Sequence, residues 1–292
     1  MVKFRIKNSL NINNIKYDKI LENYNNGNSV VSKIEINDTI YYFKFLDKSF
    51  YNKLLLEVKY IPLLNRNLNL FPQYYEKDKV KVFIGEQCVF YGTKEISGSN
   101  INHNFSNNLL FDIVEKVALF HKEIINLTID DGNDILEKSN DYQRLSEFFV
   151  EKKHFLIKYK LLDYVKETLN IEPAPSKFFL IHSDLNLNNI YFIDDKISSI
   201  IDFTDMKMGY LEDDLGKMWQ NFLYLDYFNI DLSKKLIKKY ESILNIKVNK
   251  NNIIISTIYR IIYRCYSMKD ISKEYLSKTF KIIDLLLNEE VF

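Results

Sequence analysis

Cysteine is scarce in this chain. Cys88 and Cys265 are the only two among 292 residues, far apart and without metal-ligand spacing. A disulfide framework and a cysteine-based zinc site are therefore excluded, and a reducing compartment fits. An excess of charge of one sign is also missing: 40 Lys and Arg balance 39 Asp and Glu, for a formal net charge of +1. Nucleic-acid binding usually shows a basic excess, so no nucleic-acid partner is expected. No hydrophobic run approaches the roughly 20 residues that a spanning helix needs. The richest window, "NNIIISTIYRIIYRCY", is broken by Arg260 and Arg264. The opening "MVKFRIKNSLNINN" has no apolar stretch suited to a signal peptide. A cytoplasmic protein with no membrane partner is the expectation. Internal repeats and low-complexity linkers are lacking too, and nothing demands an oligomer.

What is present has an ordinary globular balance, 47% apolar and 27% charged. The first 90 or so residues read as strands with one helix. "SVVSKIEIND" and "TIYYFKFLD" are β-branched and aromatic runs meeting at Asn37-Asp38, a turn signal. "SFYNKLLLEVKYIPLL" has helical spacing, with Leu54, Leu55, Val58 and Ile61 on one side and Pro62 as a kink or stop. "KVKVFIGEQCVFYGTKEI" reads as two strands around Gly85-Glu86. Beyond residue 96 the texture becomes helical. Leu110, Ile113, Val114, Val117 and Phe120 form one stripe, residues 139–169 give one or two more helices, and helices resume at Leu215, with Asp214 as their cap. The spacing predicts an α+β protein of two parts: residues 1–94, rich in β-strand, and residues 95–292, mostly helical.

A short hairpin interrupts the helices in "LIHSDLNLNNIYFIDDKISSIIDFTD", Leu180 to Asp205. With Asp195-Lys196 as a two-residue turn, counting outward sets Asn189 opposite Asp202; Asp-Lys is not a favoured turn pair, so a slip of one residue stays open, and the expected proximity survives it. An amide oxygen and a carboxylate brought together suit Mg²⁺, a hard cation that takes one or two protein ligands and leaves other positions to water and phosphate oxygens. Asp184, in the loop leading to the hairpin, is placed to accept a proton from a substrate hydroxyl. His182 would brace that loop. Any one of these acids or amides alone could be a plain loop cap, since turns favour Asn and Asp. The spaced set argues for a site.

"HSDLNLNN" matches the kinase catalytic-loop pattern, and "IDFTD" the metal-binding Asp-Phe segment. The short gap between Asn189 and Asp202, the lack of an Ala-Pro-Glu segment, and "DMKMGYLEDDLGKMW", with Asp205, Gly209 and Asp214-Leu215, resemble the aminoglycoside phosphotransferase and choline kinase superfamily. The pattern is nearer to the aminoglycoside phosphotransferases. Thr204, where many relatives have Gly, and Tyr210-Leu211, in place of Asp-Pro, are departures.

The resemblance implies a bilobal protein-kinase-like fold with an N-terminal nucleotide-binding lobe and a helical C-terminal lobe. It implies that Asp184 is the catalytic base, that Asn189 and Asp202 are the metal ligands, and that His182 supports the loop. Lys44, the only charge in "TIYYFKFL", would hold the α/β-phosphates and pair with Glu57. Gly27, Asn28 and Ser29 would form a short phosphate loop, and the backbone of Lys94, Glu95 and Ile96 the adenine-binding hinge. The implied reaction moves the γ-phosphoryl group of ATP or GTP, with Mg²⁺, to a hydroxyl of a small cationic molecule. An aminoglycoside antibiotic comes first, giving resistance, with Asp205, Glu212 and Asp213 as substrate carboxylates. A choline, ethanolamine or sugar kinase is the alternative within the superfamily. A kinase-like nucleotide-binding protein without turnover is the alternative outside enzymes.

Overall fold

In the computed structural model, residues 2–26, 29–100, 106–129, 138–288 and 291–292 are described. Gly27 and Asn28, expected in the phosphate loop, lie outside them. The chain forms two compact units. One is built within Met1–Ser99 together with Tyr191–Thr204, the other within Asn100–Ile129, Leu136–Ile190 and Asp205–Phe292.

The first unit contains helix α1 (Val2–Ile12), strands β1 (Lys19–Asn26), β2 (Ser29–Ile36) and β3 (Thr39–Leu46), helix α2 (Tyr51–Leu68), and strands β4 (Val82–Ile84) and β5 (Val89–Lys94). The strands make one antiparallel sheet in the order β1-β2-β3-β5-β4. Asn37 and Asp38 join β2 to β3 with φ of 47° and 58°, the left-handed pair that a two-residue hairpin turn needs and that Asn and Asp tolerate. Side chains alternate along β3. Phe43 and Phe45 join Ile34, Ile36 and Phe90 in a core closed by Ile6 and Leu10 of α1. Leu46 packs on the other face with Leu54 of α2 and Tyr91, and the two-residue period puts Lys44 on that same face.

Helix α1 and strand β1 were not legible in the sequence. Both are Asn- and Lys-rich, and they hold through tertiary contacts: α1 through Ile6 and Leu10 on the sheet, β1 through its ladder with β2. Pro62 neither ends nor marks the end of α2. The helix runs on to Leu68 and stops at Asn69, which has φ of 48°. Buried Tyr60, Ile61 and Leu64 on both sides of the proline hold it. Its buried seam is Leu54, Leu56, Glu57, Tyr60, Ile61 and Leu64, while Leu55 is exposed. This shift of the expected stripe carries Glu57 inward.

The next strands along the chain are β6 (Phe179–Ile181), β7 (Ile190–Ile193), β8 (Lys196–Ile200) and β9 (Lys207–Gly209). β7 and β8 form a two-stranded hairpin, and β6 pairs with β9. The segment 191–204, expected in the helical lobe, is tied into the first unit instead. Ser99 and Phe192 exchange backbone hydrogen bonds at 3.1 and 2.9 Å, and the Ile200 amide donates to the Leu70 carbonyl at 2.9 Å.

Helices α3 (Asn107–Asn126), α4 (Asp141–Glu151), α5 (Lys153–Lys158), α6 (Leu162–Leu169), α7 (Leu211–Phe222), α8 (Ile230–Leu244), α9 (Lys250–Ser267) and α10 (Lys273–Leu287) make the second unit. The predicted stripe of α3 is buried along its length. α7 begins at Leu211 rather than Leu215, so the run Glu212-Asp213-Asp214 is its first turn, where negative charge is favoured. Gly216 lets α7 lie against α9: a Cβ there would strike the Ser256 side chain and come within 2.8 Å of the Thr257 nitrogen. Among the described residues no helix is long and apolar enough to cross a membrane.

Buried charge joins these helices. Arg260 of α9 donates to Asp141 at the start of α4 at 2.7 and 3.0 Å, and Ser256 donates to the same carboxylate at 2.6 Å. Asp213 accepts from the Asp141 amide at 3.3 Å. Burial and the neighbouring Asp141 hold Asp213 well above the usual carboxylate range, and burial lowers Lys207 nearby. Removing one member of such a set strands the others without water. Arg260→Leu should lower the unfolding free energy by about 3–5 kcal/mol, read from urea denaturation midpoints. A loss under about 1 kcal/mol would show the network to be dispensable.

Candidate active site

In the second unit, the loop after β6 carries His182, Ser183 and Asp184. Its shape depends on Asp214 of α7, which is fully buried. The Asp214 carboxylate accepts from the His182 amide at 2.9 Å and from the Ser183 amide at 2.7 Å. Ser183 has φ of 67°, a left-handed backbone that costs a non-glycine residue about 1 kcal/mol or more unless its surroundings hold it. His121 of α3 lies with Nε2 3.2 Å from Asp214 and Nδ1 2.6 Å from the Tyr240 hydroxyl of α8. Burial pushes the Asp214 carboxyl up. The His121 hydrogen bond and the amide donors outweigh it, so the group ends below its ordinary value. Asp214 was expected as a helix cap. Its partners instead lie on the catalytic loop and α3, a role that no local sequence signal carries.

Asp184 is half-exposed. Its amide donates to His182 Nδ1 at 3.3 Å. Its Oδ2 accepts from the side-chain amides of Asn186 at 2.9 Å and Asn189 at 3.1 Å, and Lys217 Nζ lies 3.0 Å from Oδ1. The Asn189 amide nitrogen also reaches the Asp184 carbonyl at 2.9 Å. With the nitrogen so engaged, the Asn189 side-chain oxygen is the atom suited to a hard cation. Asn186 and Lys217 were missed in the sequence. Asn186 was hidden among many asparagines, and Lys217 is 33 positions downstream of Asp184.

In the first unit, Lys44 Nζ donates to Asp202 Oδ1 at 2.7 Å and to Thr204 Oγ1 at 3.0 Å, and Thr204 donates to the same Asp202 oxygen at 2.8 Å. Asp202 has φ of 62°. The expected partner of Lys44 was Glu57, and the structure corrects that. Glu57 is fully buried on α2, and its Oε1 accepts from the Tyr74 hydroxyl at 2.9 Å. Burial, then the charge of Asp202, push its carboxyl up to about 7, against the lowering effect of Lys44. The partly exposed Asp202 takes the ammonium. Tyr91, opposite Lys44 in the β3–β5 ladder, closes the group.

The hairpin also differs from expectation. Asp194 and Asp195, with φ of 49° and 57°, form its turn, not Asp195-Lys196. β8 ends at Ile200, and Asn189 lies in a 3₁₀ turn before β7. The ladder pairing of Asn189 with Asp202 is therefore not made. Two consecutive Asp residues accept left-handed backbone better than an Asp-Lys pair.

Of the other expected residues, Ser29 opens β2 and is buried. The Lys94 amide donates to the Gln73 carbonyl at 2.8 Å and the Glu95 amide to the Ile40 carbonyl at 2.9 Å. These two amides are engaged within the sheet unit. Glu95 also pairs with Lys33 at 2.9 Å. Glu212 and Asp213 are not substrate carboxylates. Both are buried, Glu212 accepting from the Asn249 amide at 3.1 Å and Asp213 lying in the Arg260 network. Asp205 is exposed. Among the described residues no three His, Cys, Asp or Glu side chains gather as a metal cluster.

Two outcomes follow for this site. A carboxyl with a raised folded-state pKa weighs against folding as pH rises: the penalty is absent below about 4.5 and complete above about 7. Wild type should therefore lose about 3 kcal/mol relative to Glu57→Gln between pH 4.5 and 8, measured by denaturant unfolding across that range. Parallel curves would show that Glu57 titrates normally. Thr204→Val leaves Lys44 and Asp202 each short of a partner and should cost about 1–3 kcal/mol, with Thr204→Ser close to wild type in the same assay.

The comparisons bear on the fold. The phosphotransferase enzyme family (APH) matches residues 105–238. No curated protein matches the sequence. Among solved structures, an amicoumacin kinase in complex with AMP-PNP, Ca²⁺ and Ami is 10% identical, with a TM-score of 0.68 over 99% of this chain and 95% of that one. An aminoglycoside phosphotransferase from Alicyclobacillus acidocaldarius is 13% identical, with a TM-score of 0.67 over 94% and 93%. A microcompartment-associated aminopropanol kinase is 13% identical, with a TM-score of 0.63 over 93% of each.

Proposed function

Because the chain has the kinase-like fold of the aminoglycoside phosphotransferase and choline kinase superfamily, we propose that it transfers the γ-phosphoryl group of ATP to a hydroxyl of a small molecule in the cytoplasm. The observation that carries this reading is the Asp184 carboxylate. It is half-exposed, fixed by its loop, and oriented by Asn186, Asn189 and Lys217. Such a group can orient a hydroxyl and take its proton as phosphorus is attacked. His182 sets the loop from below. Asn189 and Asp202 supply hard oxygens for Mg²⁺, which when bound neutralises phosphate charge. Lys44 steadies the α/β-phosphates, with Thr204 fixing its distance from Asp202 and Glu57 lying beneath. Ser29, with Gly27 and Asn28, belongs to the phosphate loop, and the Ile96 amide with the Lys94 and Glu95 carbonyls to the base-binding hinge. Little covalent work falls to the protein; positioning and charge supply the rate.

The acceptor we favour is an amine-bearing alcohol, with aminoglycosides first and antibiotic resistance as the role. Asp205 is the exposed acid of the segment, so the case for a polycation rests on a smaller acidic set than the sequence offered. Choline, ethanolamine and simple sugars remain the alternative acceptors, and GTP the alternative donor. The non-catalytic reading had Thr204 as its support. That residue bonds to both Lys44 and Asp202 instead of displacing either, which favours an enzyme.

The test is ADP or GDP release by the purified protein with Mg²⁺ across a panel of these acceptors. Asp184→Asn should lower stimulated turnover by about 10²-fold or more. Stimulation by choline or a sugar alone would overturn the aminoglycoside assignment. Nucleotide binding with no stimulated turnover would favour the non-catalytic protein.

A further inference from the structure

The two oxygens of Asp184 are not equivalent. A carboxylate offers about four lone-pair positions, two on each oxygen. Oδ2 already takes two donors, the side-chain amides of Asn186 and Asn189. Oδ1 takes one, Lys217 Nζ at 3.0 Å. A hydroxyl that gives its proton to Asp184 therefore docks on Oδ1, beside the lysine. Two donors on one oxygen lie within about 5 Å of each other. Lys217 projects from α7 with its side chain 20% exposed, against 35% for Asp184, so the pair is partly dry yet reachable. Its ammonium has three N–H groups, and Asp184 engages one. The other lysine of the expected machinery, Lys44, is committed to Asp202 and Thr204.

We propose that Lys217 is a catalytic residue, the cation that contacts the phosphoryl group as it arrives on the acceptor hydroxyl. This rests on the kinase reading above. In the step, the hydroxyl oxygen bonds to the γ-phosphorus. The bond from that phosphorus to the bridging oxygen breaks, and its electron pair leaves with ADP. The hydroxyl proton passes to Asp184 Oδ1. Lys217 stays protonated throughout. Before the acceptor binds, it holds Asp184 in position. As the hydroxyl takes up the open site on Oδ1, the free N–H groups face the equatorial phosphoryl oxygens, where charge is spread in the transition state. Sequence spacing cannot show this residue, because Lys217 reaches Asp184 only through the way Asp214 ties α7 to the loop.

The experiment compares wild type with Lys217→Met, Lys217→Gln and Lys217→Arg in acceptor-stimulated ADP release, with thermal unfolding of each variant. Lys217→Met and Lys217→Gln should lower kcat by about 10²-fold, as loss of a transition-state charge contact does, and leave KM for ATP within about 2-fold. Lys217→Arg should recover at least about 10-fold of that loss, because it keeps the charge. A structural ion pair would instead lower the unfolding temperature of both neutral variants and spare kcat in the fraction that remains folded. A kcat within about 3-fold of wild type in either neutral variant overturns the proposal while leaving the kinase reading intact. Absence of acceptor-stimulated turnover in wild type itself overturns both.

Discussion

The buried Asp214 carboxylate is the contact on which the loop bearing Asp184 depends. It gathers two consecutive loop amides and a histidine from α3, and so converts the position of a helix into the shape of a loop. An ionised carboxylate with these donors is a strong acceptor even without water. The same contact holds Ser183 in left-handed backbone, which turns Asp184 out of the core. Asp213, one residue earlier, ties that first turn of α7 to α4 and α9 through Asp141 and Arg260. Adjacent acids thus do different work. One shapes the loop and the other anchors the helix that bears it.

The sheet unit solves a similar problem with a different distribution of charge. Lys44 stands on the α2 face of β3, near two carboxyls of unequal burial. Burial pushes Glu57 towards the neutral form, and Asp202 takes the ammonium. Thr204 shares both partners, so it adds a hydrogen-bonding side chain beside the Lys44–Asp202 pair. Asp202 itself takes the left-handed φ, which Asn and Asp also supply at the hairpin turns, while Thr204 keeps a negative φ.

Much of the architecture was legible because it is local. The β2–β3 hairpin follows from β-branched runs around Asn37-Asp38, and α3 from one apolar stripe. The order of a sheet-rich part before a helical part follows from the change of period. The pattern of His182, Asp184, Asn189 and Asp202 stood out because those groups recur at short separations along one loop and hairpin. Helix α1 and strand β1 could not be read, since their residues are polar and are ordered by partners elsewhere. The hairpin register was off by one residue, because backbone preference at Asp194-Asp195 outweighed the counting of apolar alternation.

The sequence by itself determined the fold class and the candidate base, metal and phosphate groups, since these lie in runs whose periodicity or spacing is set by the backbone. Which carboxylates are buried, and which cation stands beside Asp184, only tertiary structure decided. Glu212 and Asp213 look like surface acids in a charged run, yet they are interior, because α7 begins four residues early and turns its first turn into the core. Lys217 looks like a solvated helix lysine, yet it reaches Asp184 because Asp214 and Gly216 fix how α7 is seated. A helix's depth and rotation are set by the atoms it packs against, and those lie far away in the chain.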